Sequence, residues 1–334
     1  MSKFTQKVNM QNDFKKDFIN LSKEIGFLDV GFAKFQKLEK EIENYKCWLS
    51  KNYNAKMQWM ERNLEKREDV SLILPNCKTV IVFLYNYFSN PDYPSDEILI
   101  NNAGKISRYA LGEDYHDIVL GKLNQIEKFI INHFPNSSTK SYVDTGPILE
   151  KIWAVKSGIV WQGKNSLAIS KKHGSYFFIG IILTDLEIES DDKQLKDYCG
   201  TCNKCKTACP TNAIVAPQIV DSNLCIAYNT IELKPQFEIA ENVAQNLQNW
   251  VYGCDICQEV CPWNKNLTKL TDEIRFLNKD NISTISIQKI NELSKEEFKQ
   301  FYKNSPISRT KSEGIKRNFN ALEKYWKKIN DHQE

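Results

Sequence analysis

Apolar side chains at Phe14, Phe18, Leu21 and Ile25 recur at steps of four, three and four, and Gly26 follows at once. That spacing lines one face of a helix and gives it a glycine stop. LDVGFA (28–33) predicts a short strand. LEKEIENYKCWLSKN (38–52) predicts a second helix with Leu38, Ile42, Tyr45 and Leu49 turned inward. TVIVFLYNY (79–87) is a β-rich apolar run, and SYVD (141–144) is a shorter one. In GPILEKIWAVKSG (146–158) a proline stands just inside a predicted helix and a glycine just past its end. SYFFIGIILTD then predicts a buried strand. Two helical stretches, SIQKINELSKEEFKQFYKN and RNFNALEKYWKKI, follow near the end. No repeat at solenoid periods and no low-complexity tract interrupts the pattern.

The mixture predicts an α+β fold. An α/β-like N-terminal domain spans 1–190, a cysteine-rich domain 191–265, and a short helical C-terminal region 266–334. The 334 residues can bury a core without crosslinks. A net charge of +3 confines any nucleic-acid surface to a local patch. The N-terminus lacks the apolar segment of a secretory signal. The longest apolar run, YFFIGIIL, is far shorter than the roughly 20 residues that span a bilayer. A cytoplasmic protein without a membrane partner is therefore expected. Thiols stay reduced there, so clustered cysteines point to metal or redox chemistry before disulfides.

Eight of the ten cysteines lie between 199 and 261. Cys199, Cys202, Cys205 and Cys209 form C-x2-C-x2-C-x3-C-P. Cys225 stands alone, and Cys254, Cys257 and Cys261 form C-x2-C-x3-C-P. The first run matches bacterial ferredoxin spacing, in which three thiolates bind one cubane and the fourth binds the other. The crossed pairing assigns Cys199, Cys202, Cys205 and Cys261 to one [4Fe-4S] cluster, and Cys209, Cys225, Cys254 and Cys257 to a second. Zinc is the alternative, since paired C-x2-C can hold it tetrahedrally. A third cysteine at the next x2 step suits zinc poorly. Cys47, in a helix, and Cys77, in a turn, read as core or inert thiols.

Two clusters alone make a ferredoxin-type electron-transfer protein, and that is one reading. The long stretch ahead of the cysteines asks for a second redox centre or a substrate pocket. VDTGPILEKIWAVKSGIVWQGKNS (143–166) runs strand, tight turn, helix, then a loop of glycine, tryptophan and amide. It closely resembles the epoxyqueuosine reductases, as do KREDVSLILPNCKTVIV (66–82), ISRYALGEDYHDIV (106–119) and CGTCNKCKTACPTNAI (199–214).

The resemblance implies a cobalamin-dependent oxidoreductase acting on tRNA that carries epoxyqueuosine at the anticodon wobble position, giving queuosine. It makes residues 1–190 a cobalamin-binding catalytic domain. The clusters would pass single electrons from an external low-potential donor to the corrinoid, in a protein expected to be a monomer. Asp144 matches the family's proton donor; otherwise an Asp in DTGP closes an Asx-type turn. A helix N-terminus at that point would favour the ionised carboxylate, so burial would have to oppose it. Arg67 matches a position at the cobalamin, and Ser107 falls where relatives often carry cysteine near the corrin. Trp161, Gly163, Lys164 and Asn165 are expected to line the pocket.

His116 lacks the D-x-H-x-x-G context of a cobalt ligand and reads as a structural histidine at a helix start. Between Tyr302 and Lys328, eight Lys or Arg stand against two acids. Arg309, Lys311, Lys316 and Arg317 are read as a flexible basic loop able to meet phosphates. The helical-repeat region that many relatives carry at the C-terminus is expected to be short or missing. Another corrinoid and iron–sulfur enzyme, the reductive dehalogenase type, is a rival, but nothing here resembles its twin-arginine export signal.

Overall fold

The computed structural model describes residues 3–89, 93–190, 195–277 and 283–331. A four-stranded sheet forms the first layer, in the order Asp29–Lys34, Thr79–Asn86, Phe177–Thr184, Thr139–Tyr142. Every neighbouring pair is antiparallel. The architecture is therefore α+β, and the α/β-like expectation does not extend to a parallel sheet.

The central strand is apolar throughout because both of its faces are covered. Ile81, Phe83 and Tyr85 join Phe14, Phe18, Ile118 and Leu123, which come from helices Lys3–Ile25 and Tyr115–His133. Val80, Val82 and Leu84 point the other way, onto Leu38, Trp153 and Ala154. This is the period of two expected of a strand, hidden from sequence by burial on both sides. Each fully buried side chain of this kind stabilises the fold by about 1.5–3 kcal/mol. Gly26 ends the first helix at φ +105°, a backbone conformation that glycine adopts at little cost.

A second sheet binds the three sequence segments together. Ala103–Ile106 lies between Trp250–Tyr252, to which it is parallel, and Thr284–Ser286, to which it is antiparallel. Gly104 permits this closeness, since a Cβ there would sit 2.4 Å from the Val251 Cβ. Around this sheet Trp250, Val251, Tyr252, Ile285, Phe298, Leu322 and Trp326 form a common core. The cysteine-rich and C-terminal segments thus share a core with part of the N-terminal one. The expected boundary at 190/191 abuts residues 191–194, which lie outside the described residues.

Two local expectations change. The helix after the DTGP turn begins at Glu150, not at Pro147, and runs to Lys156. Residues 143–149 instead form a bent loop in which Asp144 has φ +52°. The supposed flexible basic loop is helical: Pro306–Thr310 is a 3-10 turn that leads into a helix spanning Lys311–Asp331. Arg317 is 5% exposed and donates to the carbonyls of Phe237, Asn229 and Leu233 at 2.7–3.1 Å. Burial pulls its guanidinium down to about 10. It is a bracket within the fold, not a phosphate ligand.

Trp326 joins that last helix to the second sheet. It is 1% exposed, and its Nε1 donates to Asn249 Oδ1 at 2.7 Å. Trp326→Ala is expected to lower stability by about 3–5 kcal/mol in urea unfolding. Trp59→Ala, at a position 47% exposed, should change it by less than about 0.5 kcal/mol.

Candidate active site and cluster cradle

The eight clustered cysteines are all unpaired thiols, and the chain brings them into two sets. Burial pushes the Cys205 thiol up, and the thiols of Cys199, Cys261 and Cys202 beside it push it further. Cys261 in turn meets Cys199 and Cys202. On the other side, Cys257 is raised by burial and then by Cys225, with Cys205 and Cys209 also near. Cys254 is raised by burial and by Cys257 and Cys225. Cys205 and Cys257 also lie near each other, so the eight thiols form one continuous cluster of neighbours. Thiols raised by crowding and burial are poor anions alone; iron binding reverses this by stabilising the thiolate. Among the described residues no three Cys, His, Asp or Glu converge as a single-ion site would require.

A hairpin from the first domain grips both sets. Trp161–Gln162 pairs with Ala168–Ile169, and the turn between them carries Gly163, Lys164 and Asn165. Lys164 Nζ donates to the carbonyls of Gly200 and Cys202 at 2.7 and 2.9 Å, and to Asn203 Oδ1 at 3.1 Å. Asn165 Nδ2 reaches the Cys257 carbonyl at 3.4 Å. Trp161 is 2% exposed and packs edge-on against Tyr198 and Trp263, beside Cys199 and Cys261. A Cβ on Gly163 would meet the Ile169 and Asn165 side-chain ends at 2.5 and 2.8 Å, so a larger residue there would have to move them. The four residues expected to line a corrin pocket thus surround the cluster loops.

Ser107 likewise faces the cluster segment. Its hydroxyl donates to Asp255, which sits between Cys254 and Cys257. Asp255 also accepts from the Arg108 backbone N–H at 2.8 Å and from Arg108 Nη1 at 3.1 Å. Arg108 Nη1 bonds Glu259 as well, at 2.6 Å. Burial pushes the Asp255 carboxyl up, and Arg108 and Ser107 oppose that push.

Asp144 is exposed on its bent loop. Its Oδ2 accepts the Tyr115 hydroxyl at 2.6 Å, and its backbone N–H donates to Glu150 Oε1 at 2.7 Å. Tyr115 is held flat on Phe178, with centroids 4.0 Å apart and planes 6° from parallel. Burial and then the Asp144 charge push the Glu150 carboxyl up to about 8, against the pull of Lys151 and Arg67. Glu150 is half-exposed and Lys151 exposed, so this turn opens to solvent. Lys151 Nζ donates to the Ser166 carbonyl at 3.1 Å. Arg309, paired with Glu232 at 3.0 Å, faces Asp144 and Tyr115 from the C-terminal segment. Two open hollows, of about 350 and 400 Å³, lie along the cluster segment, one beside Tyr93 and Glu259 and the other beside Lys164 and Asn203.

Arg67 is 7% exposed, lies 5.8 Å from the Tyr45 ring centroid and makes one long bond, from Nε to the Arg62 carbonyl at 3.4 Å. Its terminal nitrogens meet no acceptor among the described residues, so the fork is open to an acidic or amide-bearing ligand. His116 occupies the second position of its helix, its Nδ1 2.6 Å from the Asp114 N-cap. Cys77 is buried and burial lifts its thiol to about 11, in keeping with an inert role, whereas Cys47 is exposed on its helix. Sequence reasoning missed Glu150, Tyr115, Lys151, Arg108 and Asp255. Only the last carried a visible signal, an acid inside C-D-I-C.

The family profile described as "Epoxyqueuosine reductase QueG, DUF1730" matches residues 67–145, and that described as "4Fe-4S double cluster binding domain" matches 198–264. The epoxyqueuosine reductase of Cellulophaga algicola is 39% identical over 298 residues, covering 89% of this chain and 94% of the relative. That of Escherichia coli is 35% identical over 286 residues, covering 86% and 74%. A crystal structure of an epoxyqueuosine reductase with a tRNA-Tyr epoxyqueuosine-modified stem loop superposes with TM-score 0.85 at 27% identity, covering 96% of this chain and 83% of that one. The Bacillus subtilis enzyme, solved with its catalytic loop swung out of the active site, gives 0.85 at 26% identity and covers 96% and 83%. The chain belongs to the epoxyqueuosine reductase family.

Proposed function

We propose that this chain reduces epoxyqueuosine to queuosine in the anticodon loop of tRNA, with Asp144 as proton donor and electrons arriving through two [4Fe-4S] clusters. Identity of 35–39% to named epoxyqueuosine reductases over most of their length supports the reaction. The observation that carries the residue assignment is the Asp144 loop, which offers a carboxyl to an open cleft between Tyr115 and Glu150. Cys199, Cys202, Cys205 and Cys261 would ligate one cluster, and Cys209, Cys225, Cys254 and Cys257 the other.

Cobalamin fits the open cleft in one respect: the unmatched Arg67 fork suits the amide and phosphate groups on a corrinoid's periphery. When bound, cobalamin supplies a strongly reducing cobalt centre that accepts electrons one at a time. The protein's own part is to hold the substrate ring near Asp144, keep a proton ready there and stabilise the leaving oxygen. Lys164, Asn165, Trp161, Gly163 and Ser107 would serve that centre indirectly, by fixing the cluster loops. Domain limits of 1–190, 191–265 and 266–334 remain useful as functional names for the catalytic, cluster and helical parts, although their cores merge.

Exposed Lys303, Lys311 and Lys327, with Arg309 at the rim, would meet tRNA phosphates, with an external low-potential donor feeding a monomer in the cytoplasm. No helix among the described residues is long and apolar enough to cross a membrane.

Anaerobic incubation with cobalamin, a low-potential reductant and epoxyqueuosine-containing tRNA, followed by nucleoside mass analysis, should give queuosine. Asp144→Asn should keep its iron and its tRNA affinity yet lose at least about 100-fold in turnover; undiminished turnover would remove Asp144 from its role. Cys202→Ala should drop iron from about eight to about four atoms per chain, and unchanged iron would break the ligand grouping. Lys164→Met should weaken retention of the same cluster, read as faster iron loss to a chelator than in Lys164→Arg.

A further inference from the structure

Removing an epoxide oxygen as water breaks two C–O bonds and forms one C=C bond, which consumes two electrons and two protons. Clusters supply electrons only, and one carboxyl supplies one proton. The structure sets a second carboxyl against the first. Glu150 opens the helix after the Asp144 loop, and its Oε1 accepts the backbone N–H of Asp144 itself at 2.7 Å. Its other oxygen meets no donor among the described residues, and the same is true of Asp144 Oδ1. Each carboxyl therefore keeps one oxygen without a protein donor among the described residues.

Resting on the reaction proposed above, we infer that Glu150 holds a proton in reserve and loads Asp144, which hands it to the departing oxygen. The sequence balances: Glu150 passes its proton to Asp144, which gives it up as the first C–O bond opens; the half-exposed Glu150 takes a second proton from solvent, and the same transfer converts hydroxide into water as the second bond breaks. The two electrons come from the external donor. Glu150 acts through Asp144 and needs no contact with the substrate.

The charged groups around the pair fit this division. Asp144 and Lys151 flank Glu150 on its own segment, and Arg67 faces it from the helix Leu64–Glu68. Tyr115, on the sheet-covering helix, donates to Asp144, and Arg309 faces Asp144 from the C-terminal segment with Glu232 as its partner. Two carboxyls in one turn resist ionising together, and the less well-solvated one retains the proton. The more enclosed Glu150 is that one, with its midpoint near 8. It is charged with a proton below that pH and loses it as pH rises through the midpoint.

The test uses the whole protein. Difference infrared spectroscopy of the substrate-free wild type between pH 6 and 10 should show a protonated-carboxyl band that disappears with a midpoint near 8 and is missing in Glu150→Gln. Gln keeps an oxygen to accept the Asp144 N–H, so the loop should stay in place. Turnover of Glu150→Gln should fall at least about tenfold at pH 7 and lose the alkaline limb seen in wild type. No titrating carboxyl in that range, a band that persists in Glu150→Gln, or a variant with wild-type rate and pH profile would each overturn the inference. A wild type inactive on epoxyqueuosine tRNA would sink the proposed reaction instead, leaving the infrared titration to judge Glu150 separately.

Discussion

The contact on which the rest hangs is a buried ion pair. Arg108 and Asp255 are 9% and 1% exposed, and they meet at 3.1 Å where the sheet domain touches the cluster loop. Taking two charges out of water costs several kcal/mol per ion, and only near-complete mutual satisfaction offsets it. Asp255 obtains that from the Ser107 hydroxyl and from both the backbone and side chain of Arg108. Arg108 gains Glu259 and the face of Tyr93, whose ring centroid lies 5.0 Å away. A geometry this demanding leaves little freedom between residues 107–108 and the turn that carries Cys254 and Cys257. Electron transfer depends on such fixed separations, so a costly pair at this joint is reasonable even if an apolar joint would be as stable.

The same principle, applied to anions, shapes the acid turn. Asp144 adopts φ +52°, a conformation that costs a non-glycine residue about 1 kcal/mol or more. The loop tolerates it because the Asp144 N–H ends on Glu150 and the Asp144 carboxyl ends on Tyr115. Tyr115 cannot easily turn away, being stacked between Phe178 and His116. Both hydrogen bonds reach Asp144 from side chains, not from regular backbone structure. A loop fastened that way depends on Tyr115 and Glu150 for its shape.

Much of this was legible in the chain. The cysteine spacings pointed to a two-cluster iron–sulfur segment, and the double-cluster 4Fe-4S profile matches 198–264, because cubane ligation constrains loop length so tightly. The apolar runs at 79–87 and 176–183 became neighbouring central strands, as their β-branched and aromatic content demanded. What failed were inferences from local composition about long-range partners. Pro147 looked like the start of a helix, but the Asp144–Glu150 bond spans the region where that first turn would lie. Arg317 looked like part of a phosphate-seeking loop; three carbonyls 80 to 88 residues away claim it. Lys164 and Asn165 also have protein partners, on loops 36 and 92 residues away, that their local sequence did not announce. Hydrogen-bond partners at such separations leave no trace in periodicity or propensity.

Those distant partners also join the two supplies that the reaction needs. The hairpin turn at 163–166 holds one cluster loop through Lys164 and the other through Asn165, and its Ser166 carbonyl receives Lys151. Lys151 adjoins Glu150, and Glu150 fastens Asp144. One short path of hydrogen bonds and backbone therefore runs from the iron-binding loops to the acid turn, through a partly exposed helix anchored on the sheet by Trp153. Electrons and protons must arrive at the same carbon–oxygen bonds, and an error of about 1 Å in their relative placement is costly to rate. Building both deliveries on one hairpin and one helix turn ties their positions together, so that thermal motion of the cluster segment carries the acid with it instead of pulling the two apart.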